Sequence, residues 1–203
     1  AKFKLNNAKE KFGVDGDVFV LAWTTTPWTL PGNVLLAVNK KLDYLVVKIE
    51  NENFILAKDL TEAVLKDKSF TVVKEFKGAD LVGLTYEPLF PYFKDSLNSF
   101  RVVEADFVTT TEGAGIVHIA PAFGDEDYQI GKREGIPLVQ HVTMDGRFIE
   151  EVEDFAGHEV KPAKDGDARR IGSGTQQVEY RACYRGSFGA RGGTFDAAQS
   201  RRI

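Results

Sequence analysis

The stretch Trp23-Thr24-Thr25-Thr26-Pro27-Trp28-Thr29-Leu30-Pro31-Gly32-Asn33 places three consecutive hydroxyl side chains directly after an apolar segment, residues 18–22. Pro27 has no backbone N–H, so it ends that predicted strand, and it restricts Thr26 to an extended conformation. Three small hydroxyl groups are thereby held at a strand end, where they could bind a water or an ester oxygen without carrying charge. Taken alone, the run is also consistent with β-favouring threonines that only cap a strand.

A second motif follows about eighty residues later and reads Gly113-Ala114-Gly115-Ile116-Val117-His118-Ile119-Ala120-Pro121-Ala122-Phe123-Gly124-Asp125-Glu126-Asp127. Together the two motifs resemble the signature pair of the editing (CP1) domain of isoleucyl-tRNA synthetase, a class I aminoacyl-tRNA synthetase. The resemblance covers roughly residues 17–157. Related valyl and leucyl enzymes carry Thr-Thr-Arg-Pro and then an acidic residue. Here Thr26 and Trp28 occupy the arginine and acid positions, which favours the isoleucyl branch.

The composition is that of a globular protein with one sizeable domain, since 203 residues with 43% hydrophobic content can bury a core. No apolar run approaches the ~20 residues of a membrane span, and no basic-then-apolar leader opens the chain. Cys183 is the single cysteine, which excludes an intramolecular disulfide and a cysteine-rich zinc site. We therefore expect a cytoplasmic protein with no membrane partner.

The charge is distributed unevenly along the chain. Residues 1–160 contain 26 acidic and 17 basic residues, a net charge of −9, whereas residues 161–203 contain 4 acidic and 9 basic residues, a net charge of +5. The acidic body is not typical of an autonomous nucleic-acid-binding domain. We predict an editing domain over residues 1–160 and an atypical Arg/Gly-rich tail over 161–203, of different origin or poorly ordered.

The hydrophobic pattern predicts a mainly β protein with peripheral helices. The resemblance implies more narrowly a distorted six-stranded β-barrel. We predict a hairpin turn over residues 50–53, and an aromatic loop over 78–99 that covers the barrel end or stacks on a terminal base. Helices are predicted over 59–66 and 125–134, and strands over 18–23, 34–38, 44–49, 54–57, 70–76, 100–108, 115–120 and 138–142.

The resemblance implies hydrolysis of the ester that joins a wrong amino acid to tRNA. None of the standard nucleophile arrangements is visible in the sequence, and an ester next to an α-ammonium group needs positioning more than a strong nucleophile. The implied catalytic residues are Thr24, Thr25 and Thr26, which would hold the attacking water and the ester, and Asp127, which would bind the α-ammonium. Without the resemblance, Asp127 would be read as an acid favoured by a helix dipole.

The implied substrate-binding residues share positions in or next to the two motifs: Trp28, Asn33, His118, Ala120, Pro121 and Phe123. His118 would form a wall that admits valine and obstructs isoleucine, and we do not assign it as general base. Trp28 and Phe123 would shape or support the pocket. Asn33 follows a Pro-Gly turn, and its amide either contacts the terminal adenosine or braces the turn.

No cofactor and no metal ion is predicted. The histidines His118, His141 and His158 lack ligand spacing, and the consecutive acids at 125–127 would spread around a helix. Gly113-Ala114-Gly115 does not complete a dinucleotide-binding fingerprint.

The sequence also lacks elements similar to the His-Ile-Gly-His and Lys-Met-Ser-Lys-Ser motifs of a synthetic site. We therefore expect an isolated, monomeric editing domain that acts on mischarged valyl-tRNA for isoleucine. Its expected partners are the 3′ end of that tRNA and the remainder of the parent synthetase. The alternatives are a valyl-type domain that clears threonine, a non-catalytic barrel that binds the aminoacyl or tRNA end, and a structural spacer.

Overall fold

The computed structural model describes residues 1–66 and 68–160, so the predicted tail over 161–203, with Cys183, lies outside the described residues. The described strands are β1 (Lys2–Lys4), β2 (Val18–Leu21), β3 (Leu35–Val38), β4 (Asp43–Ile49), β5 (Glu52–Ala57), β6 (Thr71–Lys77), β7 (Arg101–Glu104) and β8 (Val117–Ile119). The helices are α1 (Ala8–Phe12), α2 (Thr61–Val64) and α3 (Asp125–Glu134), and short 3₁₀ turns span Pro27–Gly32, Lys58–Leu60 and Gly78–Asp80. None of the helices within these residues is long and apolar enough to cross a bilayer.

The strands form two hydrogen-bonded sheets. The larger has the order β1-β2-β5-β4-β6, and the smaller has the order β7-β3-β8. Strands β4 and β5 form the predicted hairpin, with Ile49 opposite Glu52 and a two-residue turn in which Glu50 has a φ of 53°. Strand β3 runs parallel to β7 and antiparallel to β8, which brings Leu36 opposite His118.

The main core lies between the two sheets, because alternate side chains from both of them enter the same cluster. Val18 and Val20 of β2 are fully buried there, together with Leu36 and Val38 of β3. The intervening residues of β3, Leu35 among them, pack on the opposite side in a cluster that includes residues of α3. A strand covered on both faces has no polar alternation, which explains the unbroken apolar run of β3.

The mainly β class with peripheral helices is confirmed, and all of the predicted strands except the last, over 138–142, are found in these two facing sheets. Within the described residues, the two ladders do not join into one ring. Helix α3 begins and ends as predicted, with acids in its first turn, bases in its last turn, and Gly135 in the left-handed conformation at its end. The helix predicted over 59–66 is shorter, because its first turn is 3₁₀ and α2 ends at Val64.

The strand predicted over 138–142 is wrong. Its apolar side chains lie in different environments: Leu138 is exposed, Val139 packs in the cluster under α3, and Val142 packs in an aromatic cluster with Phe148. Only one bridge, between Val142 and Phe148, forms there. Strand β1 and helix α1 were not predicted, because segments of three and five residues carry too little periodicity to be recognised.

Candidate active site

A cavity of about 360 Å³ opens where the two sequence motifs meet. Residues 23–26 and Thr29 form one side of it. Residues 107–109 and 112–118 form most of the remaining wall, and Phe123 and Asp127 complete it. The hydroxyl run of the first motif and the imidazole and carboxylate of the second motif therefore line a single cavity.

The threonine segment is held in a fixed shape by its own hydrogen bonds. The backbone N–H of Thr26 donates to Thr24 Oγ1 at 3.1 Å, and the hydroxyl oxygens of these two residues lie 3.4 Å apart. The chain then enters the 3₁₀ turn Pro27–Gly32, in which both the N–H and the hydroxyl of Thr29 donate to the Thr26 carbonyl, at 3.0 and 2.8 Å. The Thr24 hydroxyl accepts the Thr26 N–H, and either hydroxyl can be the donor in the Thr24–Thr26 pair, so at least one of the two protons is left for a ligand.

His118 is a neutral, buried part of the wall. Its Nε2 lies 3.2 Å from Thr29 Oγ1, whose single proton is already donated to Thr26, so the Nε2–H of His118 is the donor in this pair. The lone pair then lies on Nδ1, which has no hydrogen-bond partner among the described residues. Burial lowers the pKa of His118 to about 4. His118 is therefore uncharged at neutral pH. Its orientation is fixed by Thr29, which belongs to the 3₁₀ turn that follows Thr24–Thr26.

Asp127 is held at the cavity by the backbone of the second motif. Its Oδ2 accepts the N–H of Ala120 at 2.8 Å, and its other oxygen has no hydrogen-bond partner in the described part of the chain. Burial raises the pKa of Asp127 to about 6, although the bond from Ala120 opposes this change. At neutral pH the group is mainly an ionised carboxylate with a free acceptor oxygen beside the cavity.

The loop before β8 forms a wall that the sequence analysis did not assign to the site. The Gly115 carbonyl accepts the Tyr44 hydroxyl at 2.7 Å, and a Cβ on Gly115 would lie 2.3 Å from the Ala57 Cβ. Gly113 lies against Trp23, whose side chain is 52% exposed at the cavity. The two glycines of Gly113-Ala114-Gly115 are the sequence signal that could have indicated a close backbone approach here, and both have positive φ angles in the structure.

Four of the predicted substrate-binding residues lie behind the cavity, outside its lining. Trp28 packs edge-to-face on Phe123, with ring centroids 5.2 Å apart. Asn33 is buried, donates to the Leu35 carbonyl, and accepts the Tyr86 hydroxyl at 2.7 Å, so its amide braces the turn.

Ala120 and Pro121 are the remaining predicted substrate-binding residues that lie outside the cavity lining. Ala120 contributes its N–H to Asp127, and Pro121 packs against α3 next to Gly131. A direct contact with substrate at these four positions is therefore not supported by the geometry, whereas His118 and Phe123 do line the cavity.

The aromatic loop predicted over 78–99 contributes Phe90, Tyr92 and Phe93 to a cluster with Phe148 and Phe155. These rings are partly buried against the cluster, which favours a role in covering the end of the β structure over a role in stacking on a terminal base. Among the described residues, no group of three or more His, Cys, Asp or Glu side chains could hold a metal ion.

Comparison with curated proteins finds isoleucine–tRNA ligases among the relatives of this chain. The chain is 48% identical over 155 residues to the isoleucine–tRNA ligase of Clostridium tetani, covering 75% of this chain and 15% of that protein. It is 47% identical over 182 residues to the enzyme of Bdellovibrio bacteriovorus, covering 83% and 17%. For the enzyme of Thermoplasma volcanium the identity is 41% over 184 residues, covering 87% and 18%. The chain thus spans less than one fifth of the length of these relatives, and no family model matches it.

Solved structures with a similar fold include the CP1 domain GlLeuRS-CP1, with a TM-score of 0.55 and 22% identity over 64% of this chain and 58% of that one. The editing domain of the P. falciparum cytosolic leucyl-tRNA synthetase gives a TM-score of 0.51 and 12% identity, over 88% of this chain and 71% of that one. At these identities the likeness supports the fold alone.

Proposed function

The chain belongs to the isoleucine–tRNA ligase family and corresponds to its editing (CP1) domain, and from this premise we propose that it hydrolyses valyl-tRNA specific for isoleucine. One observation carries the proposal: Thr24, Thr25 and Thr26, the carboxylate residue Asp127 and the neutral His118 all line one small cavity. These three kinds of group match the three needs of the reaction, namely a held water, a bound ammonium and a size limit.

Asp127 would recognise the α-ammonium that every aminoacyl ester carries. Its Oδ2 is occupied by the Ala120 N–H, which fixes the carboxylate and leaves the second oxygen for the ligand. A charge-assisted hydrogen bond of this kind is worth roughly 1.5–3 kcal/mol. This contact would anchor the amino acid and place its carbonyl carbon near the threonines.

The threonines would supply the hydroxyl and N–H groups around the reacting carbonyl. A water held there attacks the carbonyl carbon, and the oxyanion of the tetrahedral intermediate accepts hydrogen bonds. The bond from the carbonyl carbon to the ribose oxygen then breaks, and that oxygen takes up the proton that the attacking water gives up. Since Thr24 and Thr26 are fixed by bonds within their own segment, little reorganisation is needed as the charge develops. Positioning of the water and the ester then supplies much of the acceleration.

His118 would set the size limit. Its ring is held by Thr29 and surrounded by packed residues, so the wall cannot retreat to accept an additional methylene. A single methylene is worth only about 1–3 kcal/mol in a hydrophobic synthetic pocket, and isoleucyl-tRNA synthetases are themselves the usual illustration of this limit. A second cavity with the opposite size preference corrects the resulting errors.

The tRNA body would be held mainly by other parts of a full-length ligase. Residues 1–160 carry a net charge of −9, which opposes phosphate binding. The proposed partners are thus the 3′ end of the tRNA and the remainder of the synthetase. A small ester, valyl-adenosine, is the better first substrate, because its hydrolysis does not depend on affinity for the tRNA body.

The test measures hydrolysis of valyl-adenosine and of valyl-tRNA by the chain and its variants. Asp127→Ala should lower kcat/KM by about 10- to 150-fold, as expected for the loss of roughly 1.5–3 kcal/mol. Thr24→Val, which keeps the shape but removes the hydroxyl, should lower the rate by about 10²–10³. Asp125→Asn is the matched control, because it removes an exposed acid from the same helical turn.

Several outcomes would contradict the proposal. A parent rate for Asp127→Ala would remove the ammonium-binding role, and preferential cleavage of a threonyl ester would indicate the valyl-type specificity. Tight binding of valyl-adenosine without turnover would indicate a non-catalytic domain. His118→Ala should begin to cleave the isoleucyl ester, and unchanged discrimination in that variant would remove His118 from the specificity role.

A further inference from the structure

His141 is a completely buried imidazole that has no part in the chemistry proposed above. It follows α3 in the chain, just before the bridge between Val142 and Phe148, and it lies outside the cavity lining. Its ring nonetheless contacts both structures that border the cavity: the turn that continues from the threonines and the aromatic side chain of Phe123.

The first contact is with the 3₁₀ turn. His141 Nε2 lies 3.0 Å from the Trp28 carbonyl oxygen, which can only accept, so Nε2 carries the proton. The ring also fills the space beside Gly32, where a Cβ would lie 2.4 Å from His141 Nδ1. His141 therefore meets the turn at two points: a hydrogen bond to Trp28, and close packing of its ring on Gly32, which a side chain at position 32 would prevent.

The second contact is aromatic. The rings of His141 and Phe123 are 4.6 Å apart in an edge-to-face arrangement, and Phe123 packs in the same manner on Trp28 at 5.2 Å. Phe123 lines the cavity four residues before Asp127. His141, Trp28 and Phe123 thus form a closed triangle that joins the threonine side of the cavity to the carboxylate side.

A purely packing role does not account for a histidine at this position. Nδ1 of His141 is buried and has no hydrogen-bond partner among the described residues, which is a cost that an apolar side chain would not carry. What histidine supplies and an apolar residue lacks is the Nε2–H to the Trp28 carbonyl.

We propose that His141 is a positioning residue. It fixes the separation between Phe123 and the 3₁₀ turn Pro27–Gly32, which follows the threonines, and so sets the width of the cavity. Its effect on hydrolysis rests on the proposed function, whereas its effect on the turn does not. Misplacement of the reacting groups by even about 1 Å can cost 100-fold in rate, so loss of this contact should act on kcat more than on KM.

The experiment compares His141→Leu, which removes the donor, with His141→Gln, whose amide N–H can reach the position of Nε2. Phe155→Leu is the matched control, because Phe155 packs in the same aromatic cluster on Phe148 and Phe90 and its side chain has no donor for the Trp28 carbonyl. Two readouts are used. Amide hydrogen exchange at Thr29, whose N–H bonds to Thr26, reports the turn directly, and steady-state kinetics with valyl- and isoleucyl-adenosine report the cavity.

For His141→Leu we expect faster exchange at Thr29, a kcat for the valyl ester lowered about 10-fold or more with a smaller change in KM, and weaker discrimination against the isoleucyl ester. His141→Gln should restore both readouts to within about threefold of the parent. Phe155→Leu should lose thermal stability while keeping both readouts. Should His141→Leu not fold, Gly32→Ala perturbs the same contact from the side of the turn and should reproduce its effects.

The assignment is overturned if exchange at Thr29 and kcat are unchanged in His141→Leu, if His141→Gln is no better than His141→Leu, or if Phe155→Leu matches it. If the parent cleaves neither ester, the proposed function fails. The exchange comparison alone then supports or overturns the positioning of the turn.

Discussion

Asp127→Asn should change how stability depends on pH, because the two buried titratable groups of the cavity respond to acid in opposite directions. Burial lowers the pKa of His118 from 6.5 to about 4, so its contribution to stability is complete above pH 6.5 and is lost as the pH falls toward 4. Burial raises the pKa of Asp127 from 3.8 to about 6, so its contribution is complete below pH 3.8 and is lost as the pH rises through 6.

The magnitudes follow from about 1.4 kcal/mol for each pH unit between the folded and unfolded pKa values. For His118 the difference corresponds to roughly 3 kcal/mol lost between pH 6.5 and 4. For Asp127 it corresponds to roughly 2–3 kcal/mol gained over nearly the same interval, reduced somewhat because the carboxyl keeps partial contact with solvent. In the parent, the contributions of His118 and Asp127 to the pH dependence of the free energy of unfolding nearly cancel. A variant that removes one of the two groups therefore shows the pH dependence of the other.

The assay is urea unfolding, followed by tryptophan fluorescence at several pH values from 4 to 7. The free energy of unfolding of the parent minus that of Asp127→Asn should increase by roughly 2–3 kcal/mol from pH 7 to pH 4. The same difference for His118→Gln should decrease over this interval. Asp125→Asn, an exposed substitution in the same turn, controls for the general effect of charge. A difference for Asp127→Asn that does not vary with pH would refute the assigned environment of this carboxyl.

Three further predictions concern the same architecture. Gly115→Ala should lower stability by at least about 1–3 kcal/mol, measured as a lower melting temperature, because the residue has a positive φ and its new methyl would meet Ala57. Tyr86→Phe should cost about 1–3 kcal/mol in urea unfolding, because the buried Asn33 oxygen loses its donor. The kcat/KM for valyl-adenosine should fall as the pH drops through about 6, where Asp127 becomes protonated, and Asp127→Asn should abolish this dependence.

Much of the fold could be predicted where local signals agree with tertiary packing. Helix α3 has acids at its start, bases at its end and a glycine after it, and each of these signals acts locally, on the first turn, the last turn or the end of the helix. The hairpin of β4 and β5 was recognisable from two apolar strands around a polar turn. Residues 138–142 have the same apolar character, but their side chains enter different clusters, and no local pattern reveals that division.

The site was predictable in its chemistry and less so in its geometry. The sequence indicated Thr24, Asp127 and His118 through the two motifs, and the cavity brings them together. It could not distinguish residues that line the cavity from those one layer behind it, such as Asn33, because adjacent positions of a turn differ only in orientation. The glycine loop was missed for a related reason, since its role depends on how closely the backbone approaches Ala57.

The charges of the cavity fit the proposed recognition of an aminoacyl ester by shape and by Asp127. The described residues that line it include two acids, Asp127 and the exposed Glu112, and no lysine or arginine. Such a cavity attracts an ammonium group and disfavours phosphate, so an aminoacyl ester would enter with its amino acid inward and its nucleotide backbone outside. The neutral form of His118 fits the same proposal, because a protonated imidazole in the wall would repel the ammonium that Asp127 is proposed to bind. Burial would therefore act twice in the proposed function, since it keeps His118 uncharged and holds its ring in place as the wall that limits the size of the amino acid.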